Sequence, residues 1–408
     1  MILFEIKKIL SRTGSKVGIL VLLITLTVAC YFAVTYTTYV DEEGNGHTGI
    51  AAVNNLREEK EEWTGLVTED YLREVIRKNN EINAVYPYNP SDPVTSDMGY
   101  SLSQGFEDIQ TMINSAFGEF RSYDYFRIDS VTEDEVGKLY DNRIRNVKTW
   151  LSSDEAKELY SEAEKEYIID RYETLKTPFY YEPYDGWRAA LEYVVTIIMI
   201  TMLVLSFFVS GIFSSEFQWK ADSIFFSTKY GRNKGTLSKI AAGLIVITII
   251  YWTMIVLFSL IVFSVYGTRG ANSVIQTSLG GWKSLYHMTF FQEYLLVIVG
   301  GYVGVLFILL LSMLVSARTH ATVVAVTIPF IMIFIQSFFG GFPNLTDVLG
   351  LLPDQLLQMN MATNTFVLYE IGGKVVPSVP ILMTIYPFLC LVLLPIMYHV
   401  YHRAEILF

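Results

Sequence analysis

Long apolar runs dominate this chain, and polar segments of very unequal length separate them. A helix needs about 20 mostly apolar residues to cross about 30 Å of hydrocarbon. Six runs reach that length and predict six membrane-spanning helices, at 17–36, 191–213, 240–265, 294–315, 321–339 and 381–401. An even number of spans places both termini on one side of the membrane, so the predicted fold class is an all-α polytopic membrane protein.

The distribution of basic residues predicts the orientation of these spans. Cytoplasmic loops of membrane proteins carry an excess of Lys and Arg. Such residues are concentrated before the first span and between the second and third spans, which places both termini in the cytoplasm. Cys30 and Cys390 both fall within predicted spans, and the long polar insert contains no cysteine. A disulfide-free insert favours a bacterial plasma membrane over a secretory-pathway product.

Composition agrees with a membrane protein and gives the insert a character of its own. The 408 residues are 52% hydrophobic and 17% charged, with a net charge of −11 and a mean hydropathy of +0.36. The insert 41–186 holds 32 acidic and 15 basic residues, so the rest of the chain is basic overall. Its size is that of an independent domain. We predict an α-rich extracellular domain between the first and second spans.

Local patterns predict several helices within this insert. Two segments, 50–63 and 69–80, have helical periodicity, and the prolines between 87 and 93 indicate a loop. Two Ser/Thr-x-x-Glu patterns predict capping boxes, one at Thr132 and Glu135 and one at Ser152 and Glu155.

The first twelve residues form an amphipathic pattern. Apolar side chains recur with helical spacing at Ile2, Leu3, Ile6, Ile9 and Leu10, while Glu5, Lys7 and Lys8 fall largely on the other side. This pattern predicts an interfacial helix over 1–12, ahead of a first span that ends by residue 40. The alternative is a basic leader with no special role.

The segment 213–239, between the second and third spans, combines apolar and charged side chains unusually for a solvent-exposed loop. Its apolar members are Phe217, Trp219, Ile224, Phe225 and Phe226, and Glu216, Lys220 and Asp222 are interleaved with them. This pattern is typical of a helix that docks into a groove on a partner. The alternative is an amphipathic loop on the membrane surface that has no protein partner.

The order of these elements resembles the ABC type-2 permeases, the six-span membrane subunits of bacterial exporters of the type V class, here as a variant with a large extracellular insert. An N-terminal interfacial helix, a first span and a second span ending in a Glu-containing amphipathic segment precede "STKYGRNKGTLSKI" and four further spans. The resemblance implies that Glu216 and a helix over 217–226 form the coupling helix. It also implies an exit turn made by Gly231, Arg232 and Lys239. The coupling residues are thus Glu216, Phe217, Trp219, Lys220, Asp222, Phe225, Phe226, Gly231, Arg232 and Lys239.

The resemblance further implies a separate cytoplasmic ATPase that drives the permease, together with a second copy or a homologous permease. The chain contains no G-x-x-x-x-G-K-[ST] pattern, so ATP and Mg²⁺ are expected on the partner, and this chain is expected to be neither an enzyme nor a cofactor-binding protein. Residues 340–380, within the 187–408 membrane region, would dip back into the membrane as a re-entrant segment. An ordinary outer loop is the alternative for that stretch.

The cargo follows from the mostly apolar spans. They favour a hydrophobic or amphipathic cargo such as a lipid, a drug or a peptide, and nothing in the sequence indicates nucleic acid. The resemblance to permeases with an outer insert implies a peptide or antimicrobial among these. The ionisable residues near the span ends, Arg188, Glu192, Glu293, His399 and His402, are expected to be interfacial anchors. Two other functions stay open: a non-transporting envelope scaffold or receptor, and an ABC-driven transducer that moves no cargo.

Overall fold

The computed structural model describes residues 1–339 and 345–404, which are mostly helical. The first nine helices are α1 (Ile2–Leu10), α2 (Thr13–Val34), α3 (Ile50–Glu61), α4 (Glu69–Val85), α5 (Pro93–Ser103), α6 (Glu107–Phe117), α7 (Leu139–Leu151), α8 (Asp154–Leu159) and α9 (Glu162–Glu173). The others are α10 (Asp185–Val209), α11 (Gly211–Gln218), α12 (Asp222–Ser227), α13 (Thr236–Tyr266), α14 (Phe290–Thr319), α15 (Thr322–Phe339), α16 (Thr346–Leu349), α17 (Asp354–Leu357), α18 (Met359–Ala362) and α19 (Ser378–His402).

Five helices of the described chain are long and apolar enough to cross a membrane, as expected of a multi-pass membrane protein. They are Thr13–Val34, Asp185–Gln218, Gly231–Tyr266, Phe290–Thr319 and Ser378–His402. The predicted span 321–339 forms α15. The apolar part of this helix that the structure describes, Thr322–Ile335, is shorter than the roughly 20 residues needed to cross a membrane. The sequence prediction is therefore confirmed for five spans, and the sixth stays a prediction.

Helix α10 lies at the centre of the bundle. It packs against α2, α13, α14 and α15, while α14 also packs against α19. About two thirds of the most apolar stretch of α10 is buried inside the protein, compared with 22% of the corresponding stretch of α19. A helix that is apolar and buried on most sides is positioned by its neighbours rather than by lipid. Whatever displaces α10 must therefore move several helices together.

Short strands are present although the sequence predicted an all-α chain. Three antiparallel two-stranded sheets pair Thr38–Val40 with Gly46–Thr48, Gly65–Leu66 with Tyr180–Tyr181, and Leu368–Ile371 with Lys374–Pro377. The last pair turns at Gly372 and Gly373, whose φ angles are +59° and +76°. Such a two-residue turn needs positive φ at both positions, which glycine tolerates best. Gly372 and Gly373 therefore form a hairpin turn that leads into the strand beginning at Lys374.

Residues 35–184, between α2 and α10, do not pack alone. The Tyr172 hydroxyl donates to the Lys283 carbonyl at 2.9 Å, and the Tyr160 hydroxyl donates to the Phe366 carbonyl at 3.2 Å. A hydrophobic cluster joins the insert to later segments through Val147, Trp150, Leu151, Ala156, Ile168, Tyr172, Leu285 and Leu368. We call the assembly of 35–184, 267–289 and 364–377 the head. The predicted domain 41–186 supplies most of the head but shares its packing with later segments.

The helices predicted at 50–63 and 69–80 are confirmed, but neither predicted capping box forms, because the helical turn after Thr132 begins only at Val136 and α7 follows Lys138 without a side-chain cap. Helices α3 and α4 match 50–63 and 69–80, and the Thr132 hydroxyl donates to Glu135 at 2.9 Å. Ser152, however, ends α7 with helical backbone angles, so it cannot begin the next helix. Ser153 caps α8 instead, and a full capping box forms at α9 between Ser161 and Glu164.

The predicted re-entrant segment 340–380 lies partly outside the described residues, at 340–344. The rest begins with α16, α17 and α18, of which α17 and α18 pack against α14. A Cβ atom added to Gly304 would lie 2.9 Å from Leu356 Cβ, and one added to Gly300 would lie 2.8 Å from Met359 Cε. Gly304 is four turns into α14, about 20 Å from its start. The segment thus packs along α14 well away from the head, and its re-entrant path through a membrane stays a prediction.

Candidate functional site

The end of the bundle opposite the head, here called the base, carries α1, α11, α12 and the start of α13. The predicted single helix over 217–226 is wrong, because the chain forms two short helices, α11 and α12, with a break between them. Lys220 in the break has a left-handed φ of 54°, and the Ala221 amide returns to the Glu216 carbonyl at 2.8 Å. A left-handed residue ends a right-handed helix, so the segment forms a compact corner.

A buried ionic cluster supports this corner. Glu216 Oε1 accepts hydrogen bonds from Lys8 Nζ at 2.5 Å and from Lys239 Nζ at 2.7 Å. Lys239 is fully buried, and it also contacts Glu5 Oε2 at 3.4 Å and the Ile212 carbonyl at 3.0 Å. The cluster therefore joins α1, α11 and α13 through two acids and two bases. Buried charges persist only when they are paired in this way.

Aromatic side chains pack beside the cluster around Tyr401 of α19. The Phe213 ring lies 4.6 Å from the Tyr401 ring, and the Phe226 ring lies 5.3 Å from it. Phe217 stacks on His320 with ring centroids 3.5 Å apart. Buried aromatic pairs of this kind add to the stabilisation from burial alone. The corner is therefore tied to the ends of α14 and α19 as well as to α1.

The exit turn is held by a close backbone approach and by one arginine. A Cβ atom on Gly231 would lie 1.8 Å from the Phe225 carbonyl oxygen, so only glycine fits there. The Arg232 guanidinium donates to the carbonyls of His402 at 2.8 Å and Ala404 at 3.2 Å. It also lies 4.7 Å from the centre of the Phe226 ring. The turn therefore binds the C-terminal end of α19.

The ten predicted coupling residues lie together at the base, but they differ in how far they are exposed to solvent. The solvent-exposed members are Trp219 and Lys220, and the half-buried members are Phe217, Phe225 and Arg232. The buried members are Glu216, Asp222, Phe226, Gly231 and Lys239. Trp219 is 63% exposed and Ile224 is 70% exposed, which is unusual for large apolar side chains. The buried group can therefore position the corner, and the exposed group can contact another molecule.

Sequence reasoning missed two partners in this cluster and misplaced one acid elsewhere. Glu5 and Lys8 were assigned only to the polar side of the N-terminal helix, yet both contact the cluster. Glu293 was expected at a membrane interface but is buried, where Oε1 accepts from the Thr363 hydroxyl at 3.0 Å. Their partners lie far away in sequence, so no local pattern could have identified these contacts.

A second buried ionic network lies where the head meets α10. Lys60 Nζ contacts Asp108 Oδ2 and Asp185 Oδ1, each at 2.8 Å, and the hydroxyls of Tyr181 and Tyr184 donate to Asp108. Burial alone would lower the pKa of Lys60, but the two carboxylates raise it above its ordinary value. Burial alone would raise the pKa of Asp108, but Lys60 lowers it overall. Both groups therefore stay charged at neutral pH.

Neither cluster has the composition of a metal centre. Among residues 1–339 and 345–404, no three or more His, Cys, Asp or Glu side chains are grouped so that they could hold a metal ion. The free thiols of Cys30 and Cys390 are both buried and lie in the spanning helices α2 and α19. Comparison of the chain with models of protein families, with curated proteins and with solved structures finds no match.

Proposed function

We propose that this chain is the membrane-spanning permease subunit of an ATP-driven ABC exporter, and that a separate ATPase docks on the exposed corner at Trp219 and Ile224. The ATPase binds ATP and Mg²⁺, and two permease subunits work with it. The cargo is hydrophobic or amphipathic, such as a peptide or antimicrobial, a drug or a lipid. The complex lies in a bacterial plasma membrane with the corner in the cytoplasm.

A single observation supports this proposal best: exposed apolar side chains stand on a rigid, charge-paired base. Trp219 and Ile224 expose more than half of their surface, whereas Glu216 is 5% exposed and Lys239 is fully buried. An isolated membrane-surface loop needs no buried ion cluster behind it. A contact that transmits force needs a rigid support, because a flexible loop would absorb the motion of the partner instead of passing it on, and the buried cluster supplies such a support here.

The connections of the corner support a mechanical role. The cluster and the aromatic side chains join the corner to α1, α13, α14 and α19, and α11 extends directly from α10. A push on Trp219 would therefore act on the central helix α10 through α11, and on α13 and α14 beside it. An ABC-driven transducer would use the same corner. Crosslinking therefore tests whether an ATPase docks on the corner, and transport assays test whether a cargo crosses the membrane.

The proposal is tested by site-specific photocrosslinking in membranes of the native host. A photoreactive amino acid placed at Ile224 should crosslink to a protein that hydrolyses ATP. A probe placed at Leu159 is the matched control, because this aliphatic side chain is also exposed, at 55%, but belongs to the head. The Leu159 probe should not capture the ATPase.

Activity provides the second arm of the test. The purified complex should hydrolyse ATP, and a Trp219→Ala/Ile224→Ala variant should lose the ATPase while keeping the thermal stability of the parent, because both side chains are exposed. If no ATPase is captured at Ile224 and the double variant behaves as wild type, the exporter proposal is wrong. Capture of envelope proteins by the head alone would then favour the scaffold or receptor function.

A further inference from the structure

The head contains a cleft that the proposed function does not use. It has a volume of about 630 Å³ and lies among α4, α5, α6 and the first turn of α10. Pockets that bind small molecules usually measure about 300–1,000 Å³ and combine apolar walls with a few placed polar groups. The size of the cleft therefore suits a compact organic ligand or one or two residues of a peptide.

Aromatic side chains form much of the cleft wall. The rings of Tyr88 and Phe126 are 4.5 Å apart, and those of Tyr123 and Tyr125 meet edge to face at 4.8 Å. Tyr88, Tyr125 and Phe126 are all exposed to solvent, although burial would be favourable for rings of this size. Exposed aromatic faces around a cleft attract cations through their ring quadrupoles, most strongly for alkylammonium and guanidinium groups.

The charge of the cleft points to the same class of ligand. Asp129 Oδ1 accepts from the amides of Asn79 at 2.9 Å and Asn83 at 2.7 Å, and Glu107 Oε2 accepts from the Tyr100 hydroxyl at 2.9 Å. These neutral donors fix the two carboxylates in place without cancelling their charge. In the described part of the chain, neither Asp129 nor Glu107 has a Lys or Arg within 4 Å that forms an ion pair.

Two basic groups beside the cleft, Lys60 and Arg188, are already paired with other acids. Lys60 is paired with Asp108 and Asp185, and Arg188, the basic residue that lines the cleft, lies 3.7 Å from Asp185. The surplus charge of the lining is therefore negative. The carboxylates are also dispersed, since the described residues hold no metal-binding group of three or more. An organic cation satisfies such a site better than a bare metal ion, because it can contact rings and acids together.

We propose that this cleft binds an organic cation, an alkylammonium or guanidinium group carried on an apolar body. The cation lies against the aromatic rings, and the carboxylates of Asp129 and Glu107 supply the balancing charge. The source of the group is either a basic side chain of a short peptide or a free amine. This proposal concerns the head alone and holds whether or not an ATPase drives the chain.

The test measures binding to the full-length protein in detergent or nanodiscs by isothermal titration calorimetry. The probes are N-acetyl-arginyl-phenylalaninamide, the same peptide with citrulline in place of arginine, and benzyltrimethylammonium. Citrulline keeps the shape of arginine but carries no charge. We expect the arginine peptide to bind at least roughly tenfold more tightly than the citrulline peptide, as a partly desolvated cation–π and ionic contact implies.

The comparison of probes also identifies the source of the cation. Binding of benzyltrimethylammonium together with the arginine peptide supports the proposal with a small free ammonium ion as a sufficient ligand. Binding of the arginine peptide alone supports it with a peptide as the ligand. Equal affinity for the arginine and citrulline peptides overturns the proposal, and so does the absence of binding by every cationic probe.

Variants locate the binding in the cleft. Asp129→Asn and Phe126→Ala should each weaken binding of the cationic probe by roughly three- to thirtyfold. The controls Glu158→Gln and Tyr180→Ala change an exposed acid and an exposed aromatic residue that do not line the cleft, and they should leave the affinity unchanged. If Asp129→Asn fails to fold, Glu107→Gln replaces it, because glutamine can still accept from Tyr100. Unchanged binding in the folded cleft variants overturns the proposal.

Discussion

The ionic cluster at the base predicts a large and unequal cost for removing its members. Glu216→Gln removes the acid that lies 2.7 Å from the fully buried Lys239. Among the described residues, the lysine then keeps Glu5 at 3.4 Å as its one carboxylate, beside neutral acceptors such as the Ile212 carbonyl at 3.0 Å. Breaking a buried pair by deleting one partner costs roughly 3–5 kcal/mol. Because Glu5 still offers partial compensation, we expect a loss near the lower end, about 3 kcal/mol or two orders of magnitude in the unfolding equilibrium.

Removing the other partner of the pair, as in Lys239→Met, should reduce the free energy of unfolding by less. Lys239→Met leaves Glu216 with Lys8 at 2.5 Å, and Lys8 is itself partly exposed. The loss is then closer to that of one charged hydrogen bond, roughly 1.5–3 kcal/mol. In the double variant the buried lysine charge is gone, so Lys239→Met should recover stability when it is introduced into Glu216→Gln. The sign of that recovery distinguishes an ionic cluster from simple packing.

Denaturant unfolding of the detergent-solubilised protein measures these free energies, with loss of near-ultraviolet circular dichroism as the signal. Trp219→Ala is the control for the same corner, since its exposed ring should change stability little. The reasoning is refuted if Glu216→Gln is as stable as wild type, or if the two single losses simply add in the double variant.

Other variants test the exit turn and the network beneath the head. Gly231→Ala would place a Cβ atom 1.8 Å from the Phe225 carbonyl oxygen, so the turn must open. Less of the proposed ATPase should then co-purify with the protein, while the head should still bind the cationic probe. Loss of both functions would instead indicate global unfolding. Lys60→Met leaves the buried Asp108 without its lysine and should cost roughly 3–5 kcal/mol in denaturant unfolding, with Lys157→Met, an exposed lysine, as the neutral control. In wild type the pKa of Asp108 is lowered from 3.8, so its stabilisation is complete above that value and is lost as pH falls below it. Without Lys60, burial pushes the pKa of Asp108 upward, so the carboxyl gives up less stability when it is protonated. Thermal melts between about pH 2 and 7 should therefore show a smaller acid-induced loss of stability in Lys60→Met than in wild type, and an unchanged loss would contradict the assignment.

Sequence reasoning succeeds here where the signal is local. An apolar run of the right length predicts a span, and five such runs form helices that can cross a membrane. The short helices of the insert at 50–63 and 69–80 also follow from periodicity. The break at Lys220 does not, because a left-handed lysine has no compositional signal and depends on its surroundings.

Contacts between distant residues could not be predicted from one sequence. Lys60 meets Asp108 and Asp185 across 48 and 125 positions, and Lys8 meets Glu216 across 208. In the sequence, Lys8, Lys60, Asp108 and Asp185 each look like an ordinary surface charge, and Glu216 is recognisable as a coupling residue but not as a partner of Lys8. The acidic and tyrosine-rich character of the insert was visible, but its cleft depends on how α4, α5, α6 and α10 come together.

The shared core of the head sets the order in which this protein can mature during synthesis. Trp150 and Tyr172 leave the ribosome early, but Leu285 and Leu368 of the same hydrophobic cluster follow much later. Leu368 is about 200 residues beyond Tyr172, which at ~5–20 residues per second is a delay of roughly 10–40 s. During that interval the nascent head exposes an apolar face. A truncated chain that ends shortly before Leu368 should therefore be a substrate for chaperones and proteases, even though the whole insert 41–186 has already been made.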